Sequence, residues 1–147
     1  MSFPFFDTPD SGPALDCVKN WLKECTMNHK ACKHNKSPQL PARVIDLGDG
    51  KTRALRLVET QQESGTYVAL SHCWGPESHQ PLRTVAGNLE SLKVKIPESQ
   101  LNKTFLDAIE VCRHLGVRYL WIDSLCIIQD SLEDWFVAHW HASSYLL

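Results

Sequence analysis

The stretch Tyr119-Leu-Trp-Ile-Asp-Ser-Leu-Cys-Ile-Ile-Gln129 decides the fold, because its apolar half ends abruptly in polar residues. Residues 119–122 are aromatic or branched, which is typical of a strand covered on both faces. Polar side chains begin at Asp123, where such a strand would leave its sheet. In open α/β sheets, ligands bind beyond the carboxyl ends of the strands. We therefore predict a ligand-facing sheet edge next to Asp123.

A second segment, Tyr67-Val-Ala-Leu-Ser-His-Cys-Trp-Gly75, repeats this layout of an apolar strand with a polar exit. Between the two segments, residues 104–115 place their apolar side chains on one helical face. Thr104 is expected to cap this helix, and Gly116 stands where a left-handed terminating residue is wanted. Strand, helix and strand in this order predict a βαβ unit with adjacent parallel strands.

The part of the chain before this unit predicts a hairpin and a helix. Residues 43–47 and 53–58 flank the turn residues Gly48-Asp-Gly50, which indicates a β-hairpin. Apolar residues recur at helical spacing between Pro13 and Cys25. We divide the chain into an arm, helix and linker (1–41), a domain (42–135) and an atypical apolar tail (136–147).

Composition excludes several classes of protein. A formal net charge of −2 gives no electrostatic reason to expect a nucleic-acid partner. No apolar run approaches the roughly 20 residues that a membrane-spanning helix needs. The six cysteines come without a secretory signal, so they are expected to be reduced thiols in a cytoplasmic protein.

The candidate catalytic residues are Ser71, His72 and Asp123. Neighbours along a strand point to opposite faces, so Ser71 and His72 are not expected to form a dyad. His72 can instead meet Asp123 from the adjacent strand, which would orient the imidazole. The alternative is that Ser71 and His72 hydrogen-bond backbone groups of the following turn, and that Asp123 caps the turn after its own strand.

The same two segments supply further pocket or turn candidates. These are Trp74, Gly75, Ser124, Cys126, Gln129 and Asp130. Cys126 is more often a small buried hydrophobe than a catalytic thiol. Gln129 and Asp130 are expected to cap the next helix or to hydrogen-bond the loop.

Four soft ligands stand within ten residues, at Cys25, His29, Cys32 and His34. Zinc prefers thiolate and imidazole donors, so the residue types fit. The spacing matches neither common fingers nor knuckles, which begin with a closely spaced cysteine pair. We therefore expect no metal site, and the four residues are the candidates if one exists.

The chain resembles the fungal heterokaryon-incompatibility (HET) domain through motifs at Ala69–Gly75, Asn102–Ile109 and Leu115–Asp130, followed by Asp134 and Trp135. The resemblance implies a distant kinship with the TIR fold, hence an α/β fold with a partial parallel sheet of flavodoxin type. It also implies signalling in fungal vegetative incompatibility, in which non-self recognition through a protein partner leads to cell death.

The resemblance leaves an enzymatic alternative open, namely a TIR-like NAD nucleosidase or another hydrolase with its pocket at the strand edge. No cofactor is evident, and NAD enters only through the TIR kinship. That chemistry depends on a glutamate in a later helix, and Glu133 stands in the wrong context for it. The family pattern departs after Trp135, so we expect a truncated member that is not a competent enzyme alone.

Overall fold

The structure, a computed structural model, describes residues 12–29, 32, 38–49, 52–75 and 80–143, the last five of them by backbone alone. Within these ranges the chain forms five α-helices, four strands and a 3₁₀ turn at Glu98–Gln100. In chain order they are α1 (Gly12–Asn28), β1 (Arg43–Asp46), β2 (Arg56–Glu59), β3 (Tyr67–Leu70), α2 (Leu89–Val94), α3 (Lys103–Leu115), β4 (Tyr119–Ile122), α4 (Asp123–Cys126) and α5 (Leu132–Ser143).

The four strands form one mixed sheet in the order β2-β1-β4-β3. β1 and β2 pair antiparallel, which confirms the hairpin. β3 and β4 pair parallel, with Tyr67 opposite Tyr119 and Leu70 opposite Ile122, which confirms the βαβ unit. β1 also pairs antiparallel with β4. The α/β class is thus confirmed, and the parallel character of the sheet is confined to the pair β3–β4.

The expectation that β4 is covered on both faces holds fully for one face only. Leu120 and Ile122 are fully buried, whereas Tyr119 and Trp121 are only partly buried. The buried face packs against the core that α3 supplies. A strand with one dry and one half-open face leaves space beside its larger side chains.

Helix α3 covers the sheet with Phe105, Ile109 and Cys112, all of which are buried. It begins one residue earlier than expected, and its cap is Asn102 rather than Thr104. The Asn102 side chain accepts a hydrogen bond from the Phe105 amide at 2.9 Å, as N-terminal caps do. Gly116 ends the helix at φ +73°, so the predicted left-handed terminator is confirmed.

Helix α1 forms as predicted, but its apolar stripe does not pack on the sheet. Only Ala14 is buried, while Trp21 and Leu22 are 53% and 49% exposed. The helix lies against α3, where Asp16 Oδ1 is 2.9 Å from His114 Nε2. None of the helices in the described ranges combines the length and apolar character needed to cross a bilayer.

Candidate functional site

Strands β3 and β4 end side by side, and a pocket of about 340 Å³ opens at their carboxyl ends. This volume falls at the lower end of the range for small-molecule sites. We call it the edge pocket. Its lining consists of Ala69, Leu70, Ser71, His72, Trp121, Asp123, Ile127, Trp135 and Ala138. Three of these, Ser71, His72 and Asp123, are the candidates that the sequence placed at this edge.

Asp123 is the polar centre of the edge pocket. Its Oδ2 accepts a hydrogen bond from the Trp74 indole at 2.8 Å, and its Oδ1 accepts one from the Ser124 amide at 2.7 Å. The side chain remains 29% exposed. Asp123 therefore holds the turn after its strand and also keeps acceptor capacity on the pocket side, since a carboxylate offers about four lone-pair positions.

His72 packs as an aromatic ring rather than as a hydrogen-bonding group. It stacks on Trp74 at 6.4 Å between ring centroids and meets Phe105 edge-on at 4.9 Å. Both ring nitrogens are buried without a hydrogen-bond partner among the described residues. The interpretation that His72 bonds the backbone of the following turn is therefore wrong.

The imidazole and the Asp123 carboxylate do lie close together, as the parallel strands require. The His72 Nδ1 is 3.6 Å from Asp123 Oδ1, which is too long for a hydrogen bond. Ser71 is exposed and makes no hydrogen bond to this ring. Ser71, His72 and Asp123 are thus neighbours, but they lack the chain of hydrogen bonds that links the nucleophile, base and acid of a catalytic triad.

Four of the remaining candidates have structural contacts. Gly75 turns the chain at φ +74°, a conformation that glycine adopts without strain. Ser124 is fully buried, and its carbonyl accepts from the Thr84 amide at 2.9 Å. Burial raises the pKa of the Cys126 thiol to about 12, so this cysteine stays a neutral, buried group. Trp74 supplies the indole that binds Asp123.

Gln129 and Asp130 hydrogen-bond backbone groups that precede them in the chain rather than capping α5. The Gln129 side-chain amide donates to the carbonyls of Asp123 and Ile127, at 3.0 and 2.9 Å. Asp130 Oδ1 accepts from the Ala86 amide at 2.9 Å. Of the two expectations, hydrogen bonding within the loop is the one that these contacts show. Both residues fix the segment that follows Asp123.

Sequence reasoning missed an ion pair in a cavity that shares lining residues with the edge pocket. Arg43 is 8% exposed, and its guanidinium donates to the Asp134 carboxylate and to the Cys126 carbonyl. The same Asp134 oxygen accepts from the Ile128 amide at 2.7 Å. This pair lines a second cavity of about 150 Å³ with Tyr67 and ties α5 to the sheet. The isolated arginine that opens β1 was the available signal.

The metal candidates are partly brought together. The ligand atoms of Cys25, His29 and Cys32 all lie within 4.8 Å of one another. His34 lies outside the described residues. This cluster lies at the carboxyl end of α1, away from the residues of the edge pocket in the sequence.

The arrangement at the edge pocket suits binding more directly than bond cleavage. Asp123 can accept a further hydrogen bond from a ligand, and the indoles of Trp121 and Trp135 provide flat apolar surface. Asp123 is the only carboxylate in the pocket lining within the described ranges. Cleavage by a triad would need a hydrogen-bonded base, and the 3.6 Å between His72 Nδ1 and Asp123 Oδ1 does not provide one.

Comparison with known proteins gives one family. The family model described as heterokaryon incompatibility protein (HET) matches residues 67–139. The matched segment contains β3, α3, β4 and the whole lining of the edge pocket. A search of curated proteins found no match, and neither did a search of solved structures. The family match confirms the resemblance seen in the motifs: residues 67–139 of this chain match the heterokaryon incompatibility (HET) family.

Proposed function

We propose that the chain is a cytoplasmic signalling protein of fungal vegetative incompatibility, which contributes to non-self recognition and to the cell death that follows it. The observation that carries the proposal is the family match over residues 67–139. The matched segment is also the part of the chain in which the edge pocket and its polar centre are built.

The edge pocket supports a sensing role within that function. A partly exposed carboxylate between aromatic side chains recognises a planar ligand or peptide side chain that carries a hydrogen-bond donor. Asp123 is held by Trp74 from one strand exit and by Ser124 from its own. A ligand in the pocket would therefore change the contact between the ends of β3 and β4. The surface that these ends present to a protein partner would change with it.

The proposal is tested in fungal strains that differ only in expression of this chain. We expect dead fusion cells, stained by a vital dye, when expressing and non-expressing strains fuse, and few dead cells in self-fusions. The matched variants are Asp123→Asn, which keeps size and removes the pocket charge, and Lys103→Ala, which removes an 80% exposed amine outside the pocket. Asp123→Asn should weaken the response and Lys103→Ala should not. Equal viability in all pairings would refute the signalling role.

A second candidate function is NAD cleavage or another hydrolysis at the same pocket. The proximity of Ser71, His72 and Asp123 favours it. Against it stands the 3.6 Å separation of His72 Nδ1 from Asp123 Oδ1, which leaves the imidazole without the hydrogen bond that would orient it. Purified chain incubated with NAD is expected to release no nicotinamide above the level of an Asp123→Asn control. Release that depends on Asp123 would establish the enzymatic function instead.

A further inference from the structure

Three soft ligands converge at the carboxyl end of α1, far in sequence from the edge pocket. The Cys25 and Cys32 sulfurs are 3.0 Å apart, and the ligand atoms of both lie within 4.8 Å of a His29 ring nitrogen. Both cysteines are free thiols and partly buried, whereas the histidine is exposed. Two sulfurs and one imidazole within such a small volume are the donor set that zinc prefers.

The backbone holds this cluster together before any ion arrives. Cys25 and His29 stand four residues apart at the end of a helix, so their side chains lie on the same face. The His29 amide donates to the Cys25 carbonyl at 3.1 Å, which continues the helical pattern by one residue. The Cys32 amide then donates to the His29 carbonyl at 3.0 Å, and this turn returns the second thiol to the first.

The electrostatic setting also favours a cation. The free carbonyls at the end of a helix carry a partial negative charge that stabilises positive groups. The last turn of α1 contains no basic residue to supply that positive charge. A bound divalent ion would neutralise the two thiolates, so that they add no net negative charge at the helix end.

We propose that Cys25, His29 and Cys32 bind Zn²⁺ as a structural clip that joins the end of α1 to residue 32. On binding, the two thiols give up their protons to solvent and each sulfur forms a bond to the metal, while the neutral imidazole donates a nitrogen lone pair. A water molecule can complete the tetrahedron.

The separations fit this ion after a small adjustment. A tetrahedral zinc with usual bond lengths requires about 3.8 Å between two sulfurs and about 3.5 Å between a sulfur and the imidazole nitrogen. The Cys25 and Cys32 sulfurs therefore need to move apart by about 0.8 Å from their 3.0 Å contact, a change within reach of side-chain rotation. The sequence spacing resembles no common finger because the helix, rather than a cysteine-pair turn, sets the geometry.

The first test is metal analysis of the full chain, purified under reducing conditions without a metal-binding tag. We expect about one zinc per chain in the wild type and a near-complete loss in the Cys25→Ser/Cys32→Ser double variant. Cys17→Ser is the matched control, because Cys17 is a partly buried cysteine on the same helix and outside the cluster. Its zinc content should equal that of the wild type.

The second test needs no variant and so does not depend on whether a variant folds. Wild-type protein is alkylated with iodoacetamide with and without Zn²⁺, and each cysteine is followed by peptide mass spectrometry. Zinc should protect Cys25 and Cys32 and leave the exposed Cys73 reacting at an unchanged rate. Unprotected thiols, zinc retained in the double variant, or a metal-free Cys25–Cys32 disulfide in the purified protein would each overturn the proposal.

Discussion

The two edges of the sheet each carry an aspartate, and the two carboxylates have opposite surroundings. Asp46 ends β1, and because β1 runs antiparallel to β4, it lies opposite Tyr119 at the start of that strand. Asp123 follows the other end of β4. Asp46 is 3% exposed and Asp123 is 29% exposed. The same residue type is therefore closed to solvent in one place and open in the other. We call the end of the sheet at Asp46 the closed edge and the end at Asp123 the open edge.

At the closed edge the charge is fully compensated. Arg118 donates to both Asp46 oxygens at 2.8 and 2.9 Å, Arg56 donates to Oδ2, and the Gly48 amide donates to Oδ1. The hydrogen bonds from Arg118, with smaller contributions from Gly48 and Arg56, lower the pKa of Asp46 to about 2. Asp123 has an indole and an amide as donors, and no arginine or lysine side chain donates to it within the described ranges. A carboxylate whose acceptor positions are all occupied stabilises the fold, whereas one with a free acceptor position is available to a ligand.

The largest expected effect comes from a substitution in β4, because this strand runs from the closed edge to the open edge and its loss would unfold both. Ile122 is fully buried in β4, so Ile122→Asp places an unpaired carboxylate in the core. This costs several kcal/mol against a total stability of about 5–15 kcal/mol. We expect no soluble folded protein on expression. Lys103→Ala is the control, since this amine is 80% exposed and pairs with Asp107 on the helix surface. Equal soluble yields of the two variants would contradict the placement of the core.

The next effect concerns the closed edge alone. Asp46→Asn removes the charge that binds Arg118 and Arg56 while keeping the size of the side chain. Breaking a buried ion pair costs about 3–5 kcal/mol, and we expect about 2 kcal/mol because both arginines are half exposed and water screens them. Urea unfolding followed by circular dichroism measures the change. Asp107→Asn is the control, because it removes an exposed ion pair on a helix, and it should cost less than about 0.5 kcal/mol. Similar costs for the two variants would mean that the ion pairs of Asp46 stabilise the fold no more than an exposed pair does.

The closed edge also predicts a dependence of stability on pH. The folded pKa of Asp46 is about 2, below the value of about 3.9 expected in the unfolded chain. A lowered folded pKa gives stability that is complete above pH 4 and is lost as the pH falls through 2. We expect the wild type to lose about 2 kcal/mol more than Asp46→Asn between pH 5 and pH 2. Parallel curves of unfolding free energy against pH for the two proteins would contradict the ion-pair assignment.

The sequence predicted one edge of the sheet better than the other. The pocket edge was found because polar residues follow two apolar runs, and parallel pairing puts the two exits together. Asp46 was not singled out, because its partner Arg118 is 72 residues away and no local pattern links them. The cap of α3 was misplaced by two residues, since asparagine and threonine are both good caps and only the backbone decides between them.

Side-chain surroundings were harder to predict than positions. His72 was placed correctly beside Asp123, yet its ring is buried between Trp74 and Phe105 without a hydrogen bond. Phe105 comes from α3, and no spacing rule reveals which helical side chain meets a given strand residue. The cysteines and His29 were judged on finger spacing, which carries no information about a helix end that closes the cluster through a turn.

The smallest expected effect sharpens the comparison at the open edge. Trp74→Phe keeps an aromatic ring beside His72 and removes the N–H group that donates to Asp123 at 2.8 Å. Because Asp123 is 29% exposed, water can replace the lost donor, and we expect a cost of about 1 kcal/mol, half that of Asp46→Asn. Circular dichroism during urea unfolding is the proper measurement, since a tryptophan is being removed.

Trp21→Phe, on a 53% exposed side chain outside the pocket, should change stability by less than about 0.5 kcal/mol. A cost for Trp74→Phe as large as that of Asp46→Asn would mean that the Asp123 carboxylate is a closed structural group like its counterpart, and that the edge pocket has no free acceptor to offer a ligand.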